Sequence, residues 1–194
     1  METIILASGS PRRQELLARV RIPFQAFPPD IDEEFDRISA VDERVRRIAA
    51  RKIEAVAAGR QPGPARWVLG LDTLVELDGA AIGKPGSAEE AARMLRLLSG
   101  RVHRVHTGIG LLPAGGRPLD LRWVGTEVKF APLSEAEVEF YLGSGEWAGV
   151  AGAYRIQERG AFFVEWIRGS YSNVVGLPLE TFYGMLRDNQ YALA

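Results

Sequence analysis

Two hydrophobic periods alternate along the chain. Thr3 to Ala7 is a short apolar run that predicts a buried strand, and the Ser8-Gly9-Ser10 turn leads from it into a helix from Pro11 to about Arg19. Ser10 suits the N-cap and Pro11 the first helical position. Further on, Val41, Val45, Ile48 and Val56 share one stripe at about 100° per residue, so a helix is expected from about Val41 to Ala58, after the acidic connector FPPDIDEEFD. The Pro/Gly turn QPGPA separates that helix from WVLGLDTLVELDG, which reads as a strand with a hairpin-like return at AAIGKP. Ser87 with Glu90, and Ser134 with Glu137, have capping-box spacing and open helices that stop at Gly100 and near Leu142. Between them, VHRVHTGIGLLPAGGRPLDLRWVGTEVKF predicts two long strands around a PAGG turn. AYRIQERGAFFVEWIRG suggests more strands, and Pro178 starts a last helix to about Leu186. Irregular alternation with antiparallel hairpins predicts an α/β fold with a mixed twisted sheet, in a single domain over 1–194.

Composition narrows the function classes. With 194 residues, 46% hydrophobic, 25% charged and a formal net charge of −1, the chain has the make-up of an ordinary globular protein. No global charge points to nucleic acid or to an anionic membrane, and no basic stripe with interleaved aromatics is present. The absence of cysteine excludes disulfides, thiolate metal sites and a cysteine nucleophile. METIILASGS lacks the basic segment and long apolar run of a signal peptide, and no stretch has the apolar length of a membrane span, so a cytoplasmic location is expected.

Several residues are out of place in a chain built for stability alone. Arg12 and Arg13 fall in the first turn of the first helix, where the dipole is already positive. Either they are solvated, or they join the free N–H groups and the Ser8 and Ser10 hydroxyls in holding an anion. Lys52 lies inside the apolar stripe of the second helix, either snorkelling at the core edge or entering a cleft as a phosphate ligand. Asp72 is the strongest anomaly, because its neighbours on the same strand face are Val68, Gly70 and Leu74. A carboxylate there needs an arginine, a lysine or a metal. The run Asp30, Asp32, Glu33, Glu34, Asp36 is either a solvated loop or the source of a second carboxylate that joins Asp72 on Mg²⁺. Lys84 in IGKPG is either a turn lysine or a side chain projecting over a sheet edge.

Other patterns carry less. There is no GxxxxGK[ST], GxGxxG or HExxH. His103 and His106, three apart in a strand, face opposite ways and cannot ligate one metal together. The glycines of GIGLL lie within a strand and carry little weight, and SYSN before VVGLP is polar without an assigned role.

Taken together, SGSPRRQELL, ARKIEAV, GLDTLVELDG, IGKP, LSGRVHRVHTGIGL, AGAYRIQ and GSYSNVVGLP stand in the order and spacing of the Maf family of nucleoside triphosphate pyrophosphatases, which the chain resembles over nearly its whole length. The resemblance implies a two-lobed α/β fold with a central cleft, related to the inosine triphosphate pyrophosphatases (Maf/Ham1-like). It implies dependence on a divalent metal, Mg²⁺ or Mn²⁺, a homodimer, and cleavage of a nucleoside triphosphate between its α and β phosphates. The matched positions are Arg13, Glu33, Lys52, Asp72 and Lys84 for phosphate and metal chemistry, with Asp72 as catalytic residue and Glu33 and Asp72 as metal ligands. Arg12, Thr73 and Gln157 mark the subtype acting on dTTP, UTP and modified pyrimidine triphosphates. Three positions depart from the pattern: Val150 replaces the lysine of K-A-G, Glu158 the glycine after I-Q, and Leu71 the small residue before Asp-Thr.

The resemblance also brings a rival reading, a nucleotide-binding regulator of cell division without turnover. Asp72 separates the two. A pure anion binder gains nothing from a buried carboxylate beside phosphate, whereas hydrolysis needs a metal ligand or a base to activate water.

Overall fold

The computed structural model describes residues 1–32, 40–59 and 67–193. Along the chain run β1 (Ile4–Ala7), α1 (Pro11–Arg19), β2 (Phe24–Ala26), α2 (Val41–Ala58), β3 (Val68–Leu77), β4 (Ala80–Ile82), α3 (Ala88–Leu98), β5 (Val102–Leu112), β6 (Asp120–Phe130), α4 (Glu135–Leu142), β7 (Val164–Arg168), α5 (Tyr171–Val175) and α6 (Leu179–Asp188). The strands form one seven-stranded mixed sheet in the order β2-β1-β3-β5-β6-β7, with β4 also on β3. β1 is parallel to β2 and β3, and the other pairings are antiparallel.

The alternation of side chains along β3 and β5 divides the core between the two faces of the sheet. Leu69, Leu71, Val75, Leu77, Val105, Ile109 and Leu111 point into the larger cluster, with Leu16, Leu17, Leu95, Phe182 and Met185 from the helices. On the other face α2 lays down Val41, Val45 and Val56 of the predicted stripe, with Ile53 beside them: Ile53 and Val56 pack on Ile5 and Val68, and Val41 and Val45 on Leu74.

The helix boundaries follow their capping chemistry. At Ser134 the capping box is complete, with Ser134 Oγ accepting from Glu137 N and the Glu137 carboxylate accepting from Ser134 N. Ser87 forms half of one, since Glu90 turns its carboxylate to the N–H of Gly86, 2.7 Å away. The segment expected to be all strand after Gly152 is strand only at Val164–Arg168. Before it lie 3₁₀ turns at Ala151–Ala153 and Arg159–Phe163, because Gly152 and Ala153 take left-handed φ values of 71° and 60° that interrupt an extended chain. β2 and α5, absent from the periodicity, are too short to show a period.

Candidate active site

One edge of β3 changes neighbours partway along. Val68, Leu69 and Gly70 pair with β1, while Val75, Glu76 and Leu77 pair with β4. Among the described residues, no strand lies beside that edge from Leu71 to Leu74. β1 and β4 run toward each other there, so the Ser8-Gly9-Ser10 turn after one and Gly83-Lys84 after the other converge on the opening. Because the gap is at an edge, side chains from both faces of β3 reach it. A pocket of about 310 Å³ occupies it, lined by Ser8, Ser10, Arg12, Arg13, Lys52, Asp72, Thr73, Lys84 and Gln157. Glu33, the second metal ligand expected from the sequence, lies outside the described residues.

Asp72 and Lys52 form a buried ion pair, with Nζ 2.8 Å from Oδ1. Lys52 comes from α2, and the pair forms because α2 lies almost on the sheet. Gly108 sits opposite Asp72 in the β3–β5 register, and a Cβ at Gly108 would fall 2.2 Å from the carbonyl oxygen of Val45. The glycines of the HTGIGLL stretch, given little weight on sequence grounds, thus set the depth at which Lys52 meets Asp72.

Arg13 enters from the other side. Its Nε donates to Gly176 O at 2.9 Å, Nη1 to Ser8 Oγ at 2.9 Å and to Leu71 O at 3.1 Å, and Nη2 to Thr73 Oγ1 at 3.0 Å. Lys52 Nζ also approaches Leu71 O, at 3.4 Å, so two cations meet at the carbonyl exposed by the missing strand. Ser8 Oγ additionally accepts from Ser10 N at 3.3 Å, folding the turn. Ser10 has N-cap backbone angles but makes no capping hydrogen bond, and the first turn of α1 holds no acidic residue. That helix end therefore keeps donors and dipole for an anion.

The remaining lining residues extend the pocket away from this centre. Arg12 is half-buried; burial first, then the charges of Arg13 and Arg155, bring its guanidinium down to about 10, so it is still cationic at neutral pH. Lys84 follows Gly83, whose carbonyl accepts from Gly152 N at 3.0 Å and ties that loop to the 3₁₀ turn. Gln157 Nε2 is buried without a hydrogen-bond partner among the described residues. Tyr154 and Arg155, not singled out in the sequence, line the same pocket, as does Gly176. AGAYRIQ and GSYSNVVGLP carry these residues, but a backbone acceptor such as Gly176 O leaves no side-chain signature. The departing Val150 is buried in the lining, and Glu158 lies 3.4 Å from the Arg155 guanidinium. His103 bonds Tyr154 Oη at 2.9 Å, while His106, on the opposite face, accepts from Trp123 Nε1 at 3.0 Å, so the two histidines share no site.

Five basic side chains, Arg12, Arg13, Lys52, Lys84 and Arg155, and one acidic side chain, Asp72, are among the described residues lining the pocket. This balance suits a polyanion. The described residues hold no group of three or more His, Cys, Asp or Glu that could cage a metal. Asp72 still fits a hard divalent ion, because Lys52 engages Oδ1 and Oδ2 accepts no hydrogen bond from a described residue. Mg²⁺ is commonly held by one or two carboxylates together with phosphate oxygens and water.

Several known proteins are similar to this chain over most of its length. The chain is 47% identical to a dTTP/UTP pyrophosphatase of Moorella thermoacetica over 92% of its length and 91% of the relative's. It is 46% identical to one of Symbiobacterium thermophilum over 100% and 97%, and 48% identical to one of Myxococcus xanthus over 91% and 87%. Among solved structures, the Ham1 protein of Staphylococcus aureus shares the fold with a TM-score of 0.53 at 14% identity, covering 96% of this chain and 99% of that one. The family described as Maf-like protein matches residues 3–189, and the chain, with its forked sheet and cationic cleft, belongs to the Maf family.

Proposed function

We propose that this chain hydrolyses nucleoside triphosphates, with dTTP, UTP and modified pyrimidine triphosphates as substrates, to the monophosphate and pyrophosphate. The names of its relatives support the reaction and the substrate class. The observation that carries the reading is Asp72, a lone acidic side chain among the described lining residues, placed against Lys52 in an otherwise cationic pocket. A protein that only held nucleotide would lose affinity by keeping a carboxylate there.

The residues divide the work by position. The N-terminus of α1 with Ser8 and Ser10, together with Arg13, Lys52 and Lys84, neutralises the polyphosphate and holds it across the fork. Asp72 takes the proton of a water that attacks the α-phosphorus, and the bond from that phosphorus to the bridging oxygen breaks. Pyrophosphate departs with the electron pair, beside the cations that stabilise its charge. A divalent metal, Mg²⁺ or Mn²⁺, bound by Asp72 with Glu33 would supply Lewis-acid stabilisation of the phosphate oxygens and a more acidic water. At the other end, Arg12 and Gln157 face the nucleoside, where the amide of Gln157 can match a ring carbonyl and the adjacent N3–H of uracil or thymine.

Incubating the purified protein with a panel of nucleoside triphosphates and Mg²⁺ tests the reading. Pyrophosphate and monophosphate should appear together, fastest with dTTP and UTP. Orthophosphate as first product, or tight binding without turnover, overturns it in favour of another phosphatase chemistry or of the regulator.

A further inference from the structure

On the face of the sheet that meets the larger core, a cluster of hydroxyls stands among apolar side chains. Thr73, Thr107 and Thr126 stand among Leu71, Val75, Val105, Ile109 and Val128, and Thr107 and Thr126 are buried to 0% and 1% exposure. Valine would fill the same space, so the hydroxyls need an account of their own.

Two of these hydroxyls form a hydrogen-bonded chain that ends on Arg13. Thr107 Oγ1 reaches the backbone carbonyl of Asn173 at 3.4 Å, and a carbonyl can only accept. Either oxygen could supply the proton of the 3.0 Å contact between the two hydroxyls; with the Thr107 proton on the Asn173 carbonyl, Thr73 donates it. Thr73 Oγ1 is then an acceptor for Arg13 Nη2, at 3.0 Å. The chain is Arg13 to Thr73 to Thr107 to the carbonyl of Asn173. Both ends lead to α5, because Arg13 Nε also donates to Gly176 O, at 2.9 Å, just past that helix. Asn173 fastens α5 to the sheet in turn, donating from Nδ2 to Val105 O at 3.0 Å and Thr126 Oγ1 at 2.9 Å.

We infer that Thr107 is a positioning residue for Arg13, acting through Thr73 to hold the guanidinium plane against the phosphates in the fork. It touches no substrate. Its hydroxyl fixes which way the Thr73 hydroxyl points, and so whether Arg13 finds an acceptor or a competing proton. The inference rests on the reading of the pocket as a triphosphate site, and it gives Thr73 a support role beside the one implied by the family resemblance.

Thr107→Val, nearly the same shape without the hydroxyl, tests it against Thr107→Ser, which restores the donor. For dTTP hydrolysis, Thr107→Val should lower kcat about tenfold with KM changed less than about twofold, and Thr107→Ser should stay within about twofold of the parent. A second readout needs no turnover. The Arg13 Nη–H resonances, assigned by their loss in Arg13→Lys, should exchange with water about tenfold faster in Thr107→Val and at the parental rate in Thr107→Ser. Parental exchange in Thr107→Val overturns the relay even if kcat falls, because the loss is then general. If the parent protein releases no pyrophosphate, the proposed function fails, while the exchange measurement still decides whether Thr107 orders Arg13.

Discussion

Lys52 Nζ and Asp72 Oδ1 lie 2.8 Å apart, with only 7% of each side chain exposed, and the contact joins α2 to β3 at the mouth of the pocket. The pair is part of the fold and of the site together, and substitutions should separate those two roles.

Asp72→Asn keeps the side-chain volume but removes the base and the anionic ligand. Pyrophosphate release should fall by about 10²–10⁴-fold in a steady-state assay. It also takes a charge-assisted hydrogen bond from Lys52, so unfolding in urea should show a loss of about 1–3 kcal/mol. Adding a triphosphate should recover part of this, because the variant pocket is more cationic than the parent. Parental kcat in the variant would leave Asp72 with the structural role alone.

Gly108→Ala places a methyl group where Val45 O already stands, 2.2 Å from the new carbon. Backbone cannot swing aside as a side chain can, so α2 must lift and carry Lys52 away from Asp72. The expected cost is about 1–3 kcal/mol or more in stability, with a fall in kcat. Thermal unfolding and a dTTP assay on the same preparation check both, and a variant unchanged in both would mean that α2 is not held at this depth.

How much of this the sequence discloses depends on the range of the interaction. α2 and its inward Lys52 were legible because helical period is local, and Asp72 stood out because a charge in an apolar run is visible without partners. Pairing of the two was not legible, since the choice among lysine, arginine and metal depends on α2 resting over Gly108, some sixty residues away in the chain. The fork in β3 was equally hidden: strand neighbours are decided by long-range pairing, and a four-residue gap in an edge has no composition of its own. AYRIQ has the residues of a strand, and the 3₁₀ turn at Ala151–Ala153 has no local signature, since a left-handed φ is not what an alanine alone prefers.

Gln157→Glu should erode pyrimidine preference. A carboxylate opposite a ring carbonyl loses the donated hydrogen bond and meets like-signed charge. The ratio of kcat/KM for dTTP over 7-methylguanosine triphosphate should fall about tenfold or more, since an unmatched polar pair in a site built for hydrogen bonding is heavily penalised. An unaltered ratio would remove Gln157 from base recognition.

Burial brings the His103 imidazole down from 6.5 to about 4, so it is neutral in the native protein near pH 7 and accepts a proton more readily once unfolded. Stability associated with it is complete above about pH 6.5 and declines as pH falls toward 4, a loss of about 2 kcal/mol by pH 5 for one such group. Urea titrations at pH 7 and pH 5 should show this difference, and His103→Gln should reduce it. An equal pH response in the variant would assign the effect elsewhere.

The interrupted edge of β3 has a mechanical consequence. The turn after β1 and the loop after β4 approach each other with no strand of the described residues between them, so an occupant gripping Ser8, Ser10 and Lys84 acts as a cross-tie there. Such a tie is a thermometer for the right ligand. A compound present at about a hundred times its dissociation constant adds about 2.7 kcal/mol to the folded state, enough to read as a shift in melting temperature. Pyrophosphate, spanning only the cationic end, should protect less than a whole triphosphate, and ranking nucleotides by the heat they allow the protein to withstand would identify its preferred tenant without any chemistry taking place.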